Sequence, residues 1–267
     1  MKRYTLLACL LLVALPSAAG ARYDFEVTDL EKSIIEKTVL MVEGRNLKIE
    51  SGKGKGDMFY RGDRGEIVVV DHDEQAYYVI NKETAKTIAA RANDTMALMD
   101  QALANVPPDQ QAAIKKMMQQ QMPQAQAAPE RPKTELKKTG ERATHSGYPC
   151  VKWEVLRDGR KIRELWVTDW NNLEGGAEVA EVFEEMAEFF EEIRDSVPMF
   201  GEGGGADQPF FELMKGLGGF AVVARDLDDD GDLVMLTVLS LARTQNLNLK
   251  DDGPPSEYKR REMFGGQ

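Results

Sequence analysis

The stretch Gly147-Tyr148-Pro149-Cys150-Val151-Lys152-Trp153-Glu154-Val155-Leu156-Arg157-Asp158-Gly159-Arg160-Lys161-Ile162-Arg163-Glu164-Leu165-Trp166-Val167-Thr168 decides how this chain is read. Two runs rich in β-branched and aromatic residues flank an Asp-Gly dipeptide, the strongest short-range signal for a hairpin closed by a two-residue type I′ loop. With Asp158 and Gly159 as the loop, Arg157 faces Arg160. Counting back then sets Val155 opposite Ile162, Trp153 opposite Glu164 and Val151 opposite Trp166 on one face. The other face pairs Glu154 with Arg163 and Lys152 with Leu165. The first face reads as a core face holding both tryptophans, and Glu164 is the one charge on it.

Outward from this hairpin, turn chemistry divides the chain into short strands. Tyr23–Leu30, Ser33–Val42, Leu47–Glu50, Met58–Arg61, Glu66–Asp71 and Ala76–Ile80 alternate or are β-branched, and Gly-, Asn- and Asp-rich clusters separate them. That order predicts an antiparallel meander, since parallel strands would need helical crossovers between them. Asn81 caps a predicted helix whose apolar stripe includes Ile88, Met96, Met99 and Leu103, ended by Pro107 and Pro108. A second helix follows over 109–121, then a Pro-, Gln- and Ala-rich linker over 122–133.

Strand pattern resumes at Thr134. A helix is predicted over Glu178–Ser196, with Val179, Val182, Phe183, Met186, Phe189, Phe190 and Ile193 inward and Glu181, Glu184, Glu185, Glu188, Glu191 and Glu192 in water. A Gly-rich loop at 201–205 and a short apolar segment, Phe210–Met214, precede a last hairpin, Phe220–Arg225 with Leu233–Ala242. The expected domains are a leader over 1–21, one α+β domain over 22–244 and a polar tail over 245–267 expected to be disordered.

The leader reading rests on Met1-Lys2-Arg3, an apolar run to Leu15, and small residues from Ser17 to Ala21, the layout of a secretory signal peptide. Ala19 and Ala21 make cleavage after Ala21 the first choice, and cleavage after Ala19 the second. Leu6-Leu7-Ala8-Cys9 superficially resembles a lipoprotein box, but the apolar run ahead of Cys9 is short. No later segment approaches the roughly 20 apolar residues of a membrane helix.

The chain holds 34 basic and 45 acidic residues, and loss of Lys2 and Arg3 with the leader takes the net charge from −11 to −13. Such a surface repels nucleic acid and anionic membranes, so neither is expected as a partner. Cys150 is then the single remaining cysteine and can form no internal disulfide.

The segment from Gly147 to Val155, with Glu164-Leu165-Trp166-Val167-Thr168-Asp169 and the acidic amphipathic helix behind it, resembles an exported bacterial family catalogued as domain of unknown function family 4412. Met58-Phe59-Tyr60-Arg61-Gly62-Asp63, Val68-Val69-Val70 and Tyr77-Tyr78 are similar to that family's other recurring stretch. The resemblance implies a curved antiparallel sheet, an incomplete β-barrel with helices in its mouth similar to the lipoprotein carriers LolA and LolB. It supplies a shape and no catalytic residue.

Several constellations carry two readings each. Asp226-x-Asp228-x-Asp230-Gly231 matches the opening of a calcium loop, but Thr237 stands where the closing Glu belongs, so an acidic hairpin turn competes with weak metal binding. Cys150 reads as a small buried hydrophobe or a reactive thiol. His72 and His145 have no spaced second ligand for zinc. Arg61-Gly62-Asp63 spells an adhesion tripeptide and equally fits a turn. Glu164 either reaches the sheet edge, or is buried with a raised pKa or a basic partner.

The methionines on the predicted helices suit either ordinary packing or an adaptable apolar pocket. The leading expectation is a non-enzymatic exported protein that needs no cofactor. It binds a lipid, acyl chain or lipoprotein segment through Trp153, Val155, Glu164, Trp166, Met96, Met99, Phe183, Met186 and Phe190. The alternative is an envelope interaction module with a filled core, partnered by another protein. An enzyme is the third reading, because no Asp or Glu spacing picks out an acid and a base.

Overall fold

A computed structural model describes residues 19–52, 56–87, 90–91, 94, 133–196 and 215–262. They form a single twelve-stranded sheet: β1 (Gly20–Asp29), β2 (Ile34–Glu43), β3 (Asn46–Glu50), β4 (Gly56–Arg61), β5 (Glu66–Asp71), β6 (Ala76–Asn81), β7 (Thr134–His145), β8 (Tyr148–Arg157), β9 (Arg160–Thr168), β10 (Phe220–Leu227), β11 (Leu233–Gln245) and β12 (Lys259–Arg260). The spatial order is β12-β6-β5-β4-β3-β2-β1-β11-β10-β9-β8-β7. Two meanders therefore meet where β11 returns antiparallel beside β1, and β1 lies in the middle of the sheet.

The sheet is curved and unclosed. β8 and β11 stand three strand spacings apart, roughly 14 Å in a flat sheet. Yet Ser146, in the turn between β7 and β8, donates its hydroxyl to the Leu239 carbonyl of β11 at 2.5 Å. Only a sheet curled toward one face brings those two points together.

That curled face is filled by the long helix Gly176–Ser196. Its apolar residues arrive every three or four positions, and Val179, Val182, Phe183, Met186, Ala187, Phe189 and Ile193 are all buried. Glu181, Glu184, Glu188, Glu191 and Glu192 are exposed, as the amphipathic pattern requires. The sequence pattern predicted a sheet covered by several helices. Among the described residues only this helix, a 3-10 turn at Trp170–Asn172 and short helical pieces such as residues 82–87 accompany the sheet, so the helical cover is minor. The predicted second helix, the linker at 122–133 (save its last residue), the Gly-rich loop and Phe210–Met214 lie outside the described residues.

From β2 to β6 the alternation is unbroken. Leu47, Met58, Tyr60, Ile67, Val69 and Ile80 join the main core, while Phe59, Val68 and Val70 form a second small cluster with Tyr77, Val79 and Tyr258. Tyr258 belongs to that cluster, so part of the 245–267 segment read from composition as a polar tail lies against the sheet as a strap. Asp252 accepts an ion pair from Lys48 at 2.8 Å, and its carbonyl accepts from Arg61 Nη2 at 2.7 Å. Lys259 and Arg260 then pair parallel with Ala76 and Tyr77.

At the other end of the chain, β1 begins at Gly20, within the 1–21 segment expected as the leader, and Ala21 is completely buried.

Candidate functional site

The β8–β9 hairpin turns through Asp158 and Gly159 at φ 49° and 79°, the two positive values of a type I′ loop. Arg157 pairs with Arg160, as counting from the loop requires. The register then shifts. Leu156 pairs with Lys161, but Val155 pairs with Arg163, leaving Ile162 as a one-residue bulge. Every later pair moves by one: Trp153 opposes Leu165, Lys152 opposes Trp166, Glu154 opposes Glu164 and Val151 opposes Val167.

The two indoles consequently project from opposite faces of the hairpin, which corrects the shared face expected for Trp153 and Trp166. Trp153 stands with Leu165 and Val155 and has Lys138 Nζ 5.5 Å from its ring centroid. Trp166 lies 4.5 Å from the His145 ring, and Lys152 Nζ is 6.0 Å from its centroid. Both are partly buried against the main core, but they do not line one cavity.

The bulge also explains Glu164. In the unbulged register its carboxylate would stand on the core face opposite Trp153. In the structure it shares a face with Lys152, whose Nζ lies 3.3 Å away, while Lys161 Nζ lies at 2.6 Å and Arg225 Nε at 3.9 Å. Its side chain is 12 % exposed. Burial alone would raise the carboxyl, but Lys161 and Lys152 outweigh it and hold the group below the usual carboxylate range. Lys161 also reaches Glu154, and Lys152 reaches Glu141, so the position is one node of an ion-pair chain. A charge predicted on an apolar face was the sequence's own sign that the register breaks.

The other expected ligand residues that are described pack within the protein. Phe183 is 2 % exposed and meets Trp170 edge-on at 5.8 Å, Met186 is fully buried, Val155 is buried, and Phe190 is partly buried against Phe189 at 6.0 Å. Phe220 lies among Tyr23, Phe25 and Trp170, with ring centroids 5.1 to 5.9 Å away. Met96 and Met99 lie outside the described residues. Two hollows among the described residues, about 440 and 460 Å³, are open to solvent. One is lined by Arg142, Pro149, Cys150, Val167 and Asp169, the other by Glu36, Asp57, Val70 and Tyr78, and of the expected ligand residues the seven that are described line neither.

Cys150 is 3 % exposed and its thiol donates to the Tyr148 carbonyl at 3.4 Å. Burial pushes the thiol up, away from the reactive thiolate. In the Asp226–Asp232 turn, Asp228 Oδ1 accepts from the amides of Asp230 and Asp232 at 3.0 and 2.8 Å, and Asp226 pairs with Arg163. Those contacts close the turn from within.

The sequence singled out His72 without showing its role. Its Nε2 lies 3.3 Å from Asp57 and its Nδ1 lies 3.0 Å from the Tyr258 hydroxyl, so it helps fasten the C-terminal strap. Nothing local in the sequence joins positions 186 residues apart. Arg61-Gly62-Asp63 opens the β4–β5 turn, and Arg61 is engaged by Glu66 and by the Asp252 carbonyl.

No protein family matches the chain, so membership of domain of unknown function family 4412 has no support beyond the quoted motifs. No curated protein matches it either. Solved structures with a similar course include an uncharacterized conserved protein from Thermus thermophilus, at TM-score 0.42 and 9 % identity, covering 91 % of both chains. The Pseudomonas aeruginosa MucA/MucB complex matches at TM-score 0.36 and 8 % identity, over 88 % of this chain and 55 % of that one. PNGF-II matches at TM-score 0.37 and 11 % identity, over 88 % of this chain and 30 % of that one. This chain thus spans about half or less of the latter two, and identities this low transfer no residue role.

Proposed function

We propose that the chain is an exported, non-enzymatic interaction module of the cell envelope, its interior occupied by its own helix. The observation that supports this reading is the fate of the concave face. Phe183 and Met186, which a carrier would turn toward an acyl chain, are buried against Trp170, Phe220 and the sheet. Packing of that kind fills the described part of the concave face with the protein's own side chains. The described carboxylates nearest the hairpin are committed to ion pairs, which argues against a general acid and base there.

A partner is met by the outer surface. Among the described residues, β7 is the long strand at one edge of the sheet, exposed at Glu135, Lys137, Lys138, Glu141, Arg142 and Thr144. An edge strand suits addition of an extended segment from a partner protein, and its lysines discourage indiscriminate pairing.

Two measurements test the reading. Native mass spectrometry of protein isolated from the periplasm of a Gram-negative host is expected to show the bare polypeptide mass, whereas a stoichiometric lipid adduct restores the carrier reading. Photo-crosslinking from position 138 on β7 is expected to give an adduct of one defined mass, with none from position 73 in the β5–β6 turn. Equal labelling from both positions counts against the edge.

A further inference from the structure

We infer that the leader is removed between Ala19 and Gly20, so that the mature chain begins at Gly20; the inference rests on the proposal that the chain is exported. The pattern of small residues permits two cuts. Ser17 and Ala19 satisfy the small-residue rule for one, Ala19 and Ala21 for the other. The fold sets their products apart.

Gly20 and Ala21 are the first two residues of the central strand. Gly20 pairs with Gln245, and Ala21 pairs with Thr244 of β11 on one side and Val42 of β2 on the other. Ala21 is 0 % exposed, and its methyl group lies against the backbone of Gly175, at φ +69° just ahead of the long helix. Gly20 is packed so closely that an added Cβ would lie 2.4 Å from the Val42 carbonyl oxygen and 2.7 Å from Leu247 Cδ1. Two residues after Ala21, Tyr23 donates its buried hydroxyl to the Glu174 carbonyl at 3.0 Å. Residues 20 to 23 thus form a continuous seam with the foot of the helix. Ala19, one position before Gly20, is exposed and outside the strand.

The peptidase reads an unfolded leader, so the fold does not direct the cut. The consequence falls on the product: hydrolysis of the Ala21–Arg22 bond would deliver a chain lacking two ladder residues and a buried methyl at its centre, whereas hydrolysis of Ala19–Gly20 leaves the seam whole. In each case one water is consumed, and the new carboxylate leaves with the leader.

The full chain is expressed in a Gram-negative host, and the periplasmic product is examined by intact mass and N-terminal sequencing. A chain starting at Gly20 is the expected result. A chain starting at Arg22 overturns the inference while leaving export intact, and an uncut chain starting at Met1 overturns export itself and the inference with it. As a second measurement, chains released by a specific protease to begin at Gly20 or at Arg22 are compared by thermal unfolding. The shorter one is expected to melt about 4 °C or more lower, by the usual relation between stability and midpoint for a chain of this size. Equal midpoints would overturn the structural argument.

Discussion

The two halves of the sheet obey the same pairing rules with different fidelity. In the half from β1 to β6, all five antiparallel pairings run without a register shift. In the half from β1 through β11 to β7, all five pairings carry one. The regular half has partners on both faces, the helix side and the strap, so each strand must keep strict alternation. The bulged half curls, and each bulge adds local twist where the strand bends. Adjacent Val222 and Val223 both belong to the main core, as do Cys150 and Val155 five residues apart on β8, which no strict period of two allows. Curvature is therefore concentrated where the ladder is interrupted, and that half supplies both the tip that reaches Leu239 and the β7 edge.

The sharpest way to break this contrast is to delete one residue from each half. Removing Val68 from β5 turns over the neighbouring side chains between two partner strands, and the protein is expected not to fold by circular dichroism. Removing Ile162 takes out only the bulged residue and keeps the pairs on either side, so a folded protein with a modestly lower midpoint is expected. Equal damage from the two deletions would refute the bulge.

The helix ties the halves together through Phe183, against Trp170 and Phe220, and Phe189, 5.9 Å from Tyr60. Phe183→Ala and Phe189→Ala are each expected to cost about 3–5 kcal/mol in urea unfolding. If only one does, the helix leans on a single half. Truncation after Gln245 uncovers Phe59, Val68 and Val70 on the outer face of the regular half, with an expected loss of about 2–4 kcal/mol and increased self-association in sedimentation.

Glu164→Gln probes the bulged half more gently, with an expected loss of about 1–2 kcal/mol at neutral pH. Because the folded carboxyl is held below its unfolded value, its contribution is present above about pH 4.3 and is lost as pH falls through the depressed folded value. The variant should therefore show a shallower loss of stability with acid below that point. An unchanged acid limb would mean that Lys152 and Lys161 do not hold the group.

Much of the regular half was legible in the sequence. Glu66–Asp71 matches β5 at both ends, and Leu47–Glu50 and Met58–Arg61 fall within one or two residues of β3 and β4, because turn residues and side-chain period are local properties. The inward face of the long helix was equally plain, since a repeat of 3.6 residues displays its own apolar stripe. The expected β8–β9 register broke at one residue, Ile162, because a bulge leaves composition and alternation on each side intact and changes only how two strands meet. Glu164, a charge in the wrong place, was the sole hint.

The amino-acid sequence by itself determined the strands, the type I′ loop at Asp158-Gly159 and the amphipathic helix, each set by backbone preferences acting over a few residues. Only the tertiary structure decided that Trp153 and Trp166 part company, that Phe183 and Met186 are buried in the main core, and that residues 246–262 fasten onto strands nearly two hundred positions earlier. Those outcomes depend on register and burial between distant segments, where the free energy of closing a contact belongs to the pair and is written in neither partner alone.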